Sequence, residues 1–223
     1  MPKVKMPTST PSLDMTPMVD LAFLLVTFFM LTSSFRAPEP IVIDPPTSTT
    51  ENLIPKQVFL IMIDKDGRTF VDITNAAVKA KVLKQVLNQF KVQPLSEEDV
   101  TTFLGIGPFG LRAGEIQNFL ELETGERTAY EQKGVPYDTA DNKAKTSELY
   151  YWAYHTRIEA HNDFKAREEE AKLRKMDFDK TNYIQFAVKA HPEAKYQAIQ
   201  DIIQVFRDAK VKEFQMITGL ESE

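Results

Sequence analysis

The sequence predicts a single N-terminal transmembrane helix joined to an α+β domain, in which two helices lie on one face of a small mixed sheet, with a mainly helical insertion. Three observations predict it. Met18 to Phe35 reads MVDLAFLLVTFFMLTSSF and contains one ionisable group, Asp20. Strand-like runs at 58–63, 69–73, 183–188 and 213–217 alternate with helical periodicities at 76–90 and 196–206. Between these halves, residues 95–179 show little strand patterning. The organisation expected is therefore a tail over 1–12, the membrane helix over 13–36, a Pro-rich linker over 37–56, the α+β domain over 57–93 and 180–220, and the insertion over 94–179.

Extended back through Leu13 and Met15, the apolar run is about 23 residues, or about 34 Å of helix, enough for a hydrocarbon core of about 30 Å. Its Leu, Phe and Val residues contribute roughly −4 to −5 kcal/mol on the insertion scale, against about +2.5 to +3.5 for a central aspartate. The segment should insert despite Asp20. Lys3 and Lys5 precede it and only Arg36 follows before Lys56, so the N-terminus is expected in the cytoplasm and the rest outside. A cleaved signal peptide is the alternative, since the basic start and Thr32 and Ser34 would suit one.

Thr16, Asp20, Thr27 and Ser34 are spaced by four, seven and seven residues, which keeps them on one helical stripe while Leu21 to Leu31 is otherwise apolar apart from Thr27. Intramembrane carboxylates are costly and commonly mark ion or proton paths. Asp20 is the candidate for proton translocation, with Thr16, Thr27 and Ser34 as pore-face support. A structural aspartate bonded to a neighbouring helix is the competing reading.

After the span, Pro38, Pro40, Pro45, Pro46 and Pro55 block helix and favour extended chain. Ile41, Val42 and Ile43 form the one apolar run there, suited to pairing as an added strand with a partner or a second copy. From Val58 to Ile63 the chain is β-forming. Asp64-Lys65-Asp66-Gly67 is a turn and Thr69 to Ile73 the returning strand. Asn75 caps a helix marked by Val78, Val82, Leu83, Val86, Leu87 and Phe90, which Pro94 closes. The C-terminal part repeats the pattern with a strand at Tyr183 to Val188, a turn at His191-Pro192, a helix through Tyr196, Ile199, Ile202, Ile203 and Phe206, and a strand at Glu213 to Ile217.

Within the insertion, Ser96 opens a helix, Glu115 to Leu122 forms another, Tyr130 to Asn142 is loop, and Ala144 to Met176 is a long charged helix laced by i to i+4 pairs. Gly105, Gly107 and Gly110 spell G-x-G-x-x-G, but no βαβ unit surrounds them and Pro108 interrupts, so a loop is expected. His155, Glu159 and His161 are spaced poorly for a metal. Tyr150, Tyr151, Trp152 and Tyr154 suggest packing or a contact surface.

Composition bounds the chemistry. The 223 residues carry a net charge of −5, and removing the +1 of residues 1–36 leaves −6 on the rest, so nothing points to nucleic acid. With Cys 0 there is no thiol nucleophile, thiolate site or disulfide. No Ser/His/Asp order or paired-carboxylate motif suggests an enzyme, and no cofactor is called for beyond protons as coupling ion.

Leu13-Asp14-Met15-Thr16-Pro17-Met18-Val19-Asp20 followed by Leu21 to Leu31 resembles the start of the ExbD/TolR family span: a polar residue, Thr-Pro, two apolar residues and the membrane aspartate. Val42 to Thr47 is similar to the family's short Pro-containing segment, which makes Pro45 and Pro46 further candidates for partner binding. Tyr183 to Gly219 looks like the end of its periplasmic domain. The likeness covers roughly 10–92 and 180–220, and 95–179 departs from it. It implies a subunit of a proton-motive-force-driven motor in the cell inner membrane, single-pass, with a periplasmic C-terminal domain. A homodimer would sit with an ExbB-like or TolQ-like multi-span protein, pass work to a TonB-like or TolA-like protein, and energise transport across the outer membrane. A TolR-like envelope-integrity motor and a membrane-anchored periplasmic binding module are the alternatives.

Overall fold

The computed structural model describes residues 16–32, 47–48, 57–137, 147–178, 183–217 and 219–220. They fall into two units, residues 1–36 and 37–223, which are taken in turn.

The first unit is helix α1, Thr16–Thr32, TPMVDLAFLLVTFFMLT. Pro17 sits in its first turn, where a missing N–H costs nothing. Its apolar side chains, from Val19 at 52% to Leu31 at 87%, are exposed around the whole circumference. At 17 residues it is about 25 Å long. Among the described residues no helix is long and apolar enough to cross a membrane. The remainder of the expected span, 13–15 and 33–36, lies outside the described residues.

The second unit begins with β1, Thr47–Ser48, then β2, Val58–Ile63, β3, Thr69–Ile73, and α2, Ala76–Gln89. β2 and β3 form the expected hairpin: Gly67 N donates to Asp64 O at 3.0 Å, and Gly67 takes φ +85°, open to glycine at no steric cost. The Asp64 carboxylate locks the turn by accepting from Lys65 N at 2.7 Å and from Arg68 Nη2 at 2.7 Å. Asn75 caps α2, its side chain accepting from Val78 N at 3.0 Å.

Next come α3, Glu97–Leu104, a 3₁₀ turn at Ala113–Glu115, α4, Ile116–Glu121, α5, Thr124–Ala129, and α6, Glu148–Arg174. The chain ends with β4, Gln185–Ala190, α7, Tyr196–Asp208, β5, Gln215–Met216, and β6, Gly219–Leu220. The main sheet has the order β3-β2-β4-β5, antiparallel between β2 and β3 and parallel elsewhere, so the fold is mixed α+β. β1 and β6 pair in parallel as a separate ribbon, Thr47 opposite Gly219. The C-terminal strands differ from their expected limits. β4 runs on to pair Ala190 with Ile63, while β5 is two residues because Lys210 to Phe214 turn the chain out of α7 and Phe214 packs on Phe206 at 5.4 Å.

Phe59, Ile61, Ile63, Val71, Ile73, Phe186 and Val188 face one core shared with α2, α6 and α7, whereas Val58, Leu60, Met62, Phe70, Ala187 and Ile217 form a second buried cluster. These are the alternate positions along each strand, so the sheet is covered on both faces. Two helices were expected on one face. The structure places a third there, because α6 packs against both α2 and α7.

The described residues of 94–179 are mainly helical, and they do not stand apart from the sheet. Trp152, Phe103, Phe109, Leu111, Ile116 and Phe119 belong to the same core cluster as β2 and α2. Trp152 meets Phe109 edge-on at 5.0 Å, and Phe103, itself 4.9 Å from Phe109, lies parallel to it at 6.5 Å. The outer edge of β3 is closed by the same segment. Val71 and Phe109 exchange backbone bonds of 2.8 and 3.0 Å, and Val135 N donates to Thr69 O at 2.8 Å. Covering an edge strand removes a template for unwanted pairing.

Candidate functional site

Thr-Pro opens α1, the run from Leu21 to Leu31 drives it, and the resulting stripe is the candidate site. Asp20 and Thr27 are seven residues apart, which places them about 10.5 Å apart along the axis and within about 20° of each other around it. Asp20 is exposed, and among the described residues it has no hydrogen-bond or ion-pair partner. Thr27 is differently placed: its hydroxyl donates back to Phe23 O at 2.9 Å and to Leu24 O at 3.0 Å. That bond satisfies the donor within the helix and leaves the oxygen to accept from water or a neighbour. Thr16 begins the helix on the same stripe by register. Ser34, and Ile41, Val42, Ile43, Pro45 and Pro46, lie outside the described residues.

A second face of α1 is shaped rather than polar. Met18, Val19, Ala22, Phe23 and Val26 line a shallow crevice of about 300 Å³ centred on Ala22. By helical register this face is about 120° round from the Asp20 stripe. One helix thus presents a titratable stripe and an apolar notch to two different directions.

The constellations in the second unit resolve as structure. Gly105 caps α3, and Gly110 N donates to the Gln132 side chain. A Cβ on Gly110 would stand 2.6 Å from the Phe70 ring, so this glycine exists for close packing and not for a phosphate. Glu159 accepts from Gln85 Nε2 at 2.6 Å and lies 4.0 Å from Lys81 Nζ. Burial holds the His155 imidazole below its ordinary pKa, with Glu159 pulling the other way. Among the described residues no group of three or more His, Asp or Glu side chains is arranged to hold a metal.

A buried lysine and a half-buried glutamate gave no sequence signal. Lys79, 3% exposed, lies over the rings of Phe103 and Phe109, with Nζ 5.3 and 5.9 Å from their centroids. Glu148 accepts from Ala113 N at 2.7 Å, and burial raises its carboxyl pKa against that bond. Each joins segments far apart in sequence, which periodicity does not reveal.

Residues 7–105 match the family model described as biopolymer transport protein ExbD/TolR. The match takes in α1, the β2–β3 hairpin, α2 and α3, and ends at residue 105 where the likeness read from the sequence ended near 92, while 180–220 lie beyond it. No curated protein and no solved structure matches the chain.

Proposed function

From the match of residues 7–105 to the ExbD/TolR family model, we propose that this chain is a biopolymer-transport motor subunit of that family in which Asp20 carries the coupling proton. The observation that supports this most directly is the character of α1. It is apolar and exposed on all sides, and its one ionisable group is Asp20, unpartnered among the described residues. An apolar helix of that kind needs lipid or other helices around it, and a lone carboxylate on it needs a hydrated path or a partner.

On this reading α1, lengthened by its flanks, crosses the inner membrane once, with the N-terminus cytoplasmic and the second unit periplasmic. Two copies sit within an ExbB-like or TolQ-like multi-span protein. The Asp20 stripe faces that protein's interior, while the Ala22 notch, turned about 120° away, is free to meet the second copy. Asp20 takes a proton from the periplasmic side and releases it to the cytoplasm, with Thr27 lining the path, and the displacement passes to a TonB-like protein. The subunit itself catalyses no covalent chemistry.

The test is Asp20→Asn, which keeps size and hydrogen bonding and loses the titratable proton. The variant should insert and co-purify with its membrane partner yet abolish energy-dependent transport in cells. Transport at the wild-type rate would overturn the proton role. Co-purification of TolA in place of TonB would assign the subunit to the Tol-type branch.

A further inference from the structure

The second unit contains a groove of about 860 Å³ in which His161 is the one lining residue of the motifs weighed in the sequence, and which lies outside residues 7–105. It is built where α6 faces the starts of β4 and β5, and Lys210 to Phe214 form its rim. Three cations line it: Arg157 from α6, and Lys210 and Lys212 from the turn after α7. Glu213 is the one carboxylate of the lining, so the groove holds a net +2 in a chain whose total is −5.

None of the three cations forms a salt bridge among the described residues. Arg157 is held by its guanidinium lying over the Tyr154 ring, 5.6 Å from the centroid, and its Nε is buried without a hydrogen-bond partner. Lys210 occupies the left-handed C′ position of α7 with φ +59°, a conformation fixed by Val211 N bonding back to Phe206 O at 2.9 Å. The walls are aromatic. Tyr183 packs edge-on to Phe164 at 5.3 Å, and Phe186 and Phe214 both lean on Phe206, at 5.8 and 5.4 Å.

We propose that this groove binds an organic anion, a carboxylate or phosphate carried on an apolar body. Uncompensated charge gathered in a concave, low-dielectric wall focuses field on an anion. Arg157 supplies a planar fork for oxyanions, and Lys210 and Lys212 supply point charges from the turn after α7. The volume lies in the range of ligand pockets, about 300 to 1,000 Å³, far more than an inorganic ion fills, and the aromatic walls account for the excess. A net +2 favours a dianion over a monoanion.

The experiment is calorimetric titration of the full-length chain in detergent with phenyl phosphate, benzoate and inorganic phosphate. Phenyl phosphate should bind more tightly than either of the others. Arg157→Gln and Lys212→Gln, on different elements of the lining, should each weaken it about tenfold or more. Lys172→Gln, on the same helix but outside the groove, should leave affinity unchanged. Unchanged thermal midpoints would establish that the groove variants are folded, and amide shifts at Phe214 and Gln215 would locate the ligand. Equal affinity for phenyl phosphate and inorganic phosphate would overturn the organic part of the proposal. Wild-type affinity in both groove variants, or no binding heat with any of the three, would overturn the site itself.

Discussion

Lys79 Nζ donates to the carbonyl oxygen of Ile106 at 2.6 Å, so a lysine buried on α2 fastens the turn that follows α3. The Asp72 carboxylate is 3.8 Å away on the other side. Burial lowers the Lys79 pKa from its ordinary 10.5, and Asp72 opposes that only in part. Between the folded value and 10.5, the unfolded chain therefore binds the proton more tightly, and folding stability from this group rises with pH across that window. Lys79→Met should lose this rise. Denaturant unfolding of both proteins at several pH values up to about 10.5 checks it; a stability difference independent of pH would show that Lys79 is not desolvated as described.

Three helices end on a lysine in the left-handed conformation: Lys91 at φ 55°, Lys175 at φ 53° and Lys210 at φ 59°. Each sits where glycine is usual, and the next N–H bonds back in the same way, Val92 to Leu87, Met176 to Ala171 and Val211 to Phe206. A side chain in this region costs about 1 to 2 kcal/mol, partly offset by placing a cation at a helix C-terminus, worth about 0.3 to 1 kcal/mol. Lys91→Gly and Lys175→Gly should each stabilise the second unit by roughly 0.5 kcal/mol. Thermal unfolding followed by circular dichroism would register this as a higher midpoint.

Trp152 is the only tryptophan and it is wholly buried against Phe109 and Phe103. Trp152→Ala should cost about 3 to 5 kcal/mol, a large share of the stability of a domain this size. Replacing Ser96 to Asp177 by a short Gly/Ser linker should go further and abolish cooperative unfolding, since it strips one side of the core and reopens the β3 edge. A linker variant with a sharp unfolding transition would refute this.

Gly110→Ala should destabilise by about 1 to 3 kcal/mol through overpacking. Its Cβ would meet the Phe70 ring at 2.6 Å and the Gly134 Cα at 3.0 Å, and Gly134 is itself pinned by its N–H to Gly110 O at 2.9 Å. Pairing it with Phe70→Leu should recover much of the loss, and a double variant no better than the single would exclude the clash as cause.

Most of the architecture was legible locally. The Asp-Gly turn, the Asn75 cap and the spacing of Val78, Val82, Val86 on α2 are short-range signals, and all stand in the structure. The role of α6 was not legible. Its charged C-terminal half, with Lys172–Glu168 at 3.0 Å and Arg174–Glu170 at 2.7 Å, reads as a solvated helix, whereas Leu149, Trp152, Ala153, Thr156 and Ala160 bury the first half. Averaged over the whole helix the two halves cancel, so periodicity alone could not dock it. For the candidate site, the Asp20–Thr27 stripe followed from spacing. The groove did not, because Arg157 and Lys212 lie 55 positions apart and only packing brings them to one cavity.

β2 reads VFLIMI, six uncharged residues of high β-propensity without proline or glycine, all of them buried. In isolation that is the composition of a self-stacking segment that seeds fibrils. Its hazard is contained by position, since β2 lies between β3 and β4 and both of its backbone edges are occupied. Lys56 before it and Asp64-Lys65-Asp66 after it are the flanking charges that discourage intermolecular stacking while the chain is still open. Substitutions that loosen the packing around Trp152 or Lys79 should accordingly reveal themselves as insoluble material, thioflavin-positive, before any loss of helix content is measurable.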